Sequence, residues 1–435
     1  MRYQTKQILK QCNDVFKLSI LENNTYTMKK IMVLAGGNDQ CALIEELRKY
    51  FNGDVEIVLV DMSNRAKAIS YADKFLQIST MDRFAVLKAA REERIDYIVT
   101  ACGDQPLSTM AYVSEQLNLP SYLTEMEVRY LTNKRFMKDK MIANNIPTAK
   151  YIYINRSWDG KLPEFKFPLV VKPVDSNGSK GVKKVFTAED LTTSLKEAFR
   201  YSISGDVIIE EFKSGEELSC DFYVENGVVK ILSVTASKKV SENTRSFTIV
   251  QSYYPAPVAY KEERILDIAQ RIANAWELKN TPLLIQMIVN GDEYNVLEFS
   301  ARMGGGSKYH LIQVLSGVDI MKVYVEMIMG RKPHIEPKKQ WNNAIMSYIY
   351  CKPGEYTSLK GFDELKSLGV IFSYFTYRLA PSKIEKSDTS SDRVAGFLVV
   401  GNSEEEVLRK LECANKHLAV LDTDGRDIMR HDLLS

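Results

Sequence analysis

The residues best placed to do chemistry form a lysine followed by a small-residue loop. The apolar, β-branched run Phe167–Val171 leads into Lys172, and the loop Ser176-Asn177-Gly178-Ser179-Lys180-Gly181 precedes a second β-prone run. Glycines let backbone N–H groups approach a ligand closely, so a lysine and a nest of amides between two strands can hold a polyphosphate. It is not a Walker loop, because G-x-x-x-x-G-K-[ST] is absent and no helix pattern follows directly. Taken alone, an ordinary glycine-containing hairpin explains the stretch equally well.

Two later strand ends strengthen the chemical reading. Val207–Glu217 is an apolar strand running into Glu210, Glu211 and Phe212, then a turn, then Glu217. Leu283–Val289 and Tyr294–Ser300 read as strands around Asn290-Gly-Asp-Glu293, and Asn-Gly between apolar runs is a strong hairpin signal. Side chains alternate along a strand, so Gln286 shares a face with Leu284 and Ile288, and Glu298 with Val296 and Ser300. A three-residue loop, Gly291–Glu293, would set Gln286 directly opposite Glu298; a two-residue loop would put them on opposite faces. The second strand runs on to Arg302 and then Met303-Gly304-Gly305-Gly306-Ser307.

Stepping outward, the elements that must position these groups alternate between strand and helix near the N-terminus. Ile31–Ala35, Val55–Asp61 and Tyr97–Ala101 read as strands, with a helix from the Gly36–Asp39 loop to about Phe51. Such alternation predicts a parallel sheet with crossover helices. Gly36-Gly37 is no G-x-G-x-x-G, which disfavours a dinucleotide-binding dehydrogenase. A helical segment with Lys134 follows and stops near Asn144–Pro147. Thr187-Ala-Glu-Asp190 is capping-box-like and predicts a helix to about Tyr201. Ile265, Ile268, Ile272 and Trp276 fall at helical spacing, as core packing would require. Asp388–Asp392 reads as a flexible loop.

Composition narrows the class. A chain of 435 residues with net charge +2 has material for several domains, and no electrostatic case for nucleic acid or an anionic membrane. Its six cysteines are dispersed without a CxxC, as in a reduced compartment rather than a disulfide framework or zinc site. No run reaches the length of a membrane span and no signal-peptide pattern opens the chain. A cytoplasmic protein is expected. Four scattered histidines give no metalloprotease motif.

In order and spacing, the Lys172 loop, the Glu210–Glu217 strand end and the Glu298-x-Ser300-x-Arg302 strand resemble the ATP-grasp superfamily of carboxylate–amine ligases. Within it the chain looks most like the L-amino-acid ligase and carbamoyl-phosphate-synthase-like branch. The resemblance implies an α/β and α+β fold: a polar extension over 1–27, a Rossmann-like parallel-sheet domain over 28–130, an ATP-grasp domain over 131–336 with a lid at about 148–213, and an α+β domain over 337–435. It implies that Lys134 and Lys172 neutralise ATP phosphates and that Ser176, Gly178, Ser179, Lys180 and Gly181 close over them. Glu210 would accept from the adenine amino group, the Glu211–Phe212 backbone would read the ring edge, and Glu217 would take the ribose hydroxyls. Glu298 would bridge Mg²⁺ (or Mn²⁺), with Gln286 and Ser300 as further ligands. Ser300 stands where the family usually has asparagine, which puts a second metal in doubt. Arg302 would bind the transferring phosphoryl group, and the amides of Gly304, Gly305, Gly306 and Ser307 a substrate carboxylate. Arg245 and Arg393 are further substrate candidates.

The implied reaction activates a small carboxylate as an acyl phosphate and joins it to an amine, with ADP and phosphate released. A homodimer is expected. Two alternatives stand: a nucleotide-binding module without turnover, motivated by Gln286 and Ser300, and an ATP-grasp enzyme with a bicarbonate or carbamate acceptor.

Overall fold

The computed structural model describes residues 28–162, 164–176, 181–240, 248–387 and 389–434. Strands β1 (Lys29–Leu34), β2 (Val55–Asp61), β3 (Lys74–Gln77) and β4 (Tyr97–Val99) form a parallel sheet in the order β3-β2-β1-β4. Helices α1 (Asn38–Tyr50), α2 (Arg83–Glu93) and α3 (Asp104–Leu117) follow strands of this sheet. α1 and α3 start at its carboxyl edge, where loops of open α/β sheets carry ligand-facing groups. Those two starts supply Asp39 and Asp104.

The stretch around Lys134 is broken into α4 (Glu125–Thr132) and α5 (Lys134–Ala143). The break has a local cause: Asn133 is extended, and its side chain accepts from Arg135 N–H to cap α5. The lid is an antiparallel sheet in the order β5-β8-β6-β7, built from β5 (Tyr151–Ile154), β6 (Leu169–Pro173), β7 (Lys183–Val185) and β8 (Val207–Glu211). Helix α6 (Ala188–Tyr201) covers it, starting at the predicted Thr187, whose hydroxyl accepts from Asp190 N–H.

The large sheet has the order β13-β12-β9-β10-β11-β14-β19-β17. Its strands are β9 (Glu216–Glu225), β10 (Val228–Lys239), β11 (Ile249–Tyr254), β12 (Thr281–Asn290), β13 (Glu293–Ser300), β14 (Asn343–Ile349), β17 (Ser373–Thr376) and β19 (Ala395–Gly401). β11 pairs with β14, so hydrogen bonding runs unbroken across position 337. Two short ribbons complete the C-terminal part, β15 (Gly354–Tyr356) with β18 (Ser382–Ile384) and β16 (Ser358–Lys360) with β20 (Ala419–Leu421). Of the expected loop, Asp388 lies outside the described residues, and Ser390–Asp392 is a 3-10 turn closed by a Thr389–Asp392 capping box.

Helix α7 (Glu262–Ala275) packs on the large sheet through the predicted stripe, with Ile265, Ile268, Ile272 and Trp276 all buried. Each such aliphatic side chain contributes about 1.5–3 kcal/mol. Trp276 meets Phe299 edge-on at 4.7 Å, which seats β13 from behind. Helices α8 (Lys308–Ser316), α9 (Ile320–Ile328), α10 (Phe362–Ser367) and α11 (Glu404–His417) follow in order. No described helix is long and apolar enough to cross a membrane.

Candidate active site

Lid strand alternation puts Val170, Lys172 and Glu210 on one face, because Val170 pairs with Glu210 and Lys172 with Ile208. That face receives α5. Glu210 is buried between two ammonium groups, Lys172 Nζ at 2.9 Å from Oε2 and Lys138 Nζ at 2.9 Å from Oε1. Burial alone would raise its pKa, but the two lysines outweigh burial and hold it at about 2. Burial instead lowers Lys138 to about 8, against the pull of Glu210. Lys138 also donates to Thr148 Oγ1 at 2.6 Å, and Thr148 donates to the Val296 carbonyl on β13 at 2.8 Å. Lys134 lies buried nearby, donating to the Ser176 carbonyl at 2.8 Å and standing 3.9 Å from Glu298 Oε2.

Each Glu210 oxygen thus already faces a lysine, so this carboxylate serves first to hold Lys138 and Lys172 in place. The Glu211 and Phe212 N–H groups are also spent, on the Lys150 and Pro168 carbonyls at 3.0 and 3.1 Å. What stands beside them is the Phe212 ring, with Lys184 Nζ 3.5 Å from its centroid. Glu217 accepts from Lys239. Gly181 closes the lysine loop with φ +73°, where a Cβ would also press on Pro173 and Tyr201 at 3.0 Å. Asn177, Gly178, Ser179, Lys180 and Arg245 lie outside the described residues.

On the opposite wall, Gln286 pairs across the ladder with Glu298, and the Glu298 side chain is 46% exposed. Their alignment arises differently from the expected loop. The turn is only Gly291-Asp292, and a bulge at Leu297 restores the facing pair. Among the described residues no group of three or more His, Cys, Asp or Glu side chains is arranged to hold a metal. One carboxylate and one amide suit Mg²⁺, which takes few protein ligands and completes its shell with water and phosphate oxygens. Ser300 is turned to another task, donating to Asp104 Oδ1 at 2.7 Å.

Asp104 is the group that sequence reading missed. Arg302 Nε donates to Asp104 Oδ1 at 2.7 Å, Nη2 to Oδ2 at 3.0 Å, and Nη1 to the Met303 carbonyl at 2.8 Å. Burial would raise the Asp104 pKa, but Arg302, Ser300 and Lys134 bring it below the usual carboxylate value.

The glycine turn is likewise partly engaged. Ser307 N–H donates to Asp39 Oδ1 at 2.9 Å, and Ser307 Oγ accepts from Asn38 Nδ2 at 3.0 Å. The expected substrate role of the Ser307 amide is therefore corrected: Asp39, from α1, already caps it. A Cβ at Gly306 would lie 2.6 Å from Arg393 Nη1, so only glycine lets this arginine approach the turn. Arg393 rests on the Tyr348 ring at 3.6 Å and donates from Nε to Tyr350 Oη at 3.1 Å. His310 stacks on Phe375, and burial lowers its pKa to about 4, so it is a neutral packing group.

Comparison with known proteins agrees with this fold. The ATP-grasp domain family model matches residues 165–309, and the PylC-like N-terminal domain model matches residues 31–119. The trifunctional purine biosynthetic protein adenosine-3 of Bos taurus is 25% identical over 433 residues, covering 93% of this chain. The chain spans only 41% of that relative's length. Phosphoribosylamine–glycine ligase of Lactococcus lactis is 23% identical over 433 residues, covering 93% of this chain and 98% of the relative. Among solved structures, the L-amino acid ligase of Bacillus licheniformis aligns with a TM-score of 0.72 at 19% identity, over 91% of this chain and 99% of that one. The biotin carboxylase domain of Hydrogenobacter thermophilus 2-oxoglutarate carboxylase, solved with MgADP and bicarbonate, aligns with a TM-score of 0.73 at 14% identity, over 93% and 92%. With the lid sheet, the Gln286–Glu298 ladder and the leading parallel sheet each in its place, the chain carries an ATP-grasp domain over residues 165–309 behind a PylC-like N-terminal domain over residues 31–119.

Proposed function

We propose that the chain is an ATP-dependent ligase that converts a small carboxylate, of amino-acid type, into an acyl phosphate and joins it to an amine. One observation carries this reading. Lys134, Lys138 and Lys172 lie buried and within one chain of contacts, and Lys134 stands 3.9 Å from Glu298 of the partly exposed Gln286–Glu298 pair. With Arg302 they make four cations, against the carboxylates of Glu210, Asp104 and Glu298. Buried positive charge in excess of its partners calls for an anion, and a triphosphate supplies it.

Lys134 and Lys172 would hold the phosphates, Phe212 and Lys184 would flank the base, and Glu298 with Gln286 would hold Mg²⁺. Bound there, the ion would neutralise charge between the β- and γ-phosphates. Arg302 would stabilise the phosphoryl group as the substrate carboxylate, already ionised and needing no base, attacks it, and the preorganised cations would stabilise the charge that develops. Gly304, Gly305 and Gly306, with Arg393 behind them, would receive the acid. A coupled ADP-release screen over pairs of amino acids and small acids tests the proposal, and hydroxylamine should trap the activated acid as a hydroxamate. AMP as the stoichiometric product would refute it.

A second reading, nucleotide binding without turnover, is favoured by one feature. Ser300 stands where the family usually has asparagine, so the site lacks an amide oxygen there, and the Ser300 hydroxyl is oriented by donating to Asp104. ATP binding without ADP release under any acid and amine pair would establish it.

A further inference from the structure

The Asp104–Arg302 pair joins two parts of the chain that share no sheet. Asp104 is the first residue of α3, delivered by Gly103 at φ +94° from the end of a parallel strand. Arg302 lies two residues beyond the end of β13, the strand that carries Glu298. Their side chains are 18% and 15% exposed, and the two-armed contact satisfies both carboxylate oxygens. The Ser300 hydroxyl adds a third donor to Oδ1, so the carboxylate cannot swing without breaking three bonds.

A guanidinium carries five N–H donors in a planar fork. Asp104 takes one from Nε and one from Nη2, and the Met303 carbonyl takes one from Nη1. One N–H is left on each Nη nitrogen, and the one on Nη2 lies on the terminal edge, away from Asp104, where it can donate to a second anion. Asp104 thus does not use up the arginine. It fixes the plane of the guanidinium while leaving two N–H donors for another partner.

We propose that Asp104 is a positioning residue for Arg302, so that seating of the parallel-sheet unit aims the arginine at the transferring phosphoryl group. This rests on the reading of Arg302 as a phosphoryl-facing group. Asp104→Asn keeps one acceptor but turns an N–H against an arginine N–H, removing one charge-assisted arm. Asp104→Glu keeps the charge and lengthens the reach.

The test uses the full chain, MgADP, and fluoroaluminate as a mimic of the phosphoryl group in flight, with affinities read by calorimetry. The wild type should bind MgADP more tightly with fluoroaluminate than without it. Asp104→Asn should weaken the fluoroaluminate complex by about tenfold or more, while MgADP alone shifts by less than about twofold. Asp104→Glu should restore part of the tightening. In an Arg302→Lys background, Asp104→Asn should cause no further loss, because the two act as a unit. A structural role alone would weaken both complexes together, with or without Arg302, and would overturn the proposal. Full tightening in Asp104→Asn, or none in a wild type that binds MgADP, would also overturn it while leaving the nucleotide site intact. A wild type that does not bind MgADP would overturn the proposed function itself, and this inference with it.

Discussion

Gln286 stands directly opposite Glu298 although the turn joining their strands is two residues long. From Asn290↔Glu293 to Met287↔Val296 the ladder keeps the register of a tight hairpin, which would oppose Gln286 to Leu297. The bulge then lets Leu297 and Glu298 share one partner, and pairing resumes as Gln286↔Glu298, Ile285↔Phe299 and Leu284↔Ser300. Bulges re-aim side chains next to functional sites, and this one brings the carboxylate beside the amide.

Glu298→Gln keeps the shape of this pair but removes its only carboxylate. Turnover should fall by about 10²–10³-fold, the scale for losing one electrostatic group at a reacting centre. The Mg²⁺ concentration needed for half-maximal ADP release should rise. Unchanged Mg²⁺ dependence would remove Glu298 from the metal site.

Lys172→Ala should abolish turnover, and it should also cost stability. Lys172 shares buried Glu210 with Lys138, so its loss leaves the carboxylate with one partner. Breaking a buried pair outright costs about 3–5 kcal/mol; with Lys138 still in place the loss should be about 3 kcal/mol or less. Denaturant melts of Lys172→Ala and Lys138→Ala, singly and together, measure this sharing.

Glu210 makes acid unfolding specific. Its pKa is lowered from 4.5 to about 2 in the folded protein, so between these values the unfolded chain binds more protons than the folded one. The stabilisation is complete above pH 4.5 and is lost as pH falls toward 2. Glu210→Gln should flatten the stability–pH curve across that window, as read from melting temperatures.

Arg302→Lys keeps the charge and loses the fork. Turnover should fall at least about tenfold while the KM for ATP changes by less than about twofold, since the interaction belongs to the transition state. Wild-type turnover in the lysine variant would deny Arg302 a special role.

Local signals made several parts of this protein readable from residue order. The Lys172 run, the Thr187 cap, the Asn290-Gly turn and the Ile265–Trp276 stripe each rest on neighbours within one element, where period and turn chemistry govern. The pairing of Gln286 with Glu298 was legible as an outcome but not in its cause, because a bulge leaves no composition signal. Lys138, Asp39 and Asp104 were not legible as site residues. Lys138 sits one helical turn after Lys134 and looks like any other helical lysine until the lid buries it against Glu210. Asp104 lies 198 residues from Arg302, and Asp39 lies 268 from Ser307. Contacts of that separation depend on how the parallel sheet packs against the large one, through an apolar core that includes Met32, Leu107 and Val113 on one side and Phe222, Ile285 and Val296 on the other. Residue order determined the strands and which side chains share a face; only the packing of separate sheets decided which charges meet, because burial gives an ion pair its strength and no single segment buries itself.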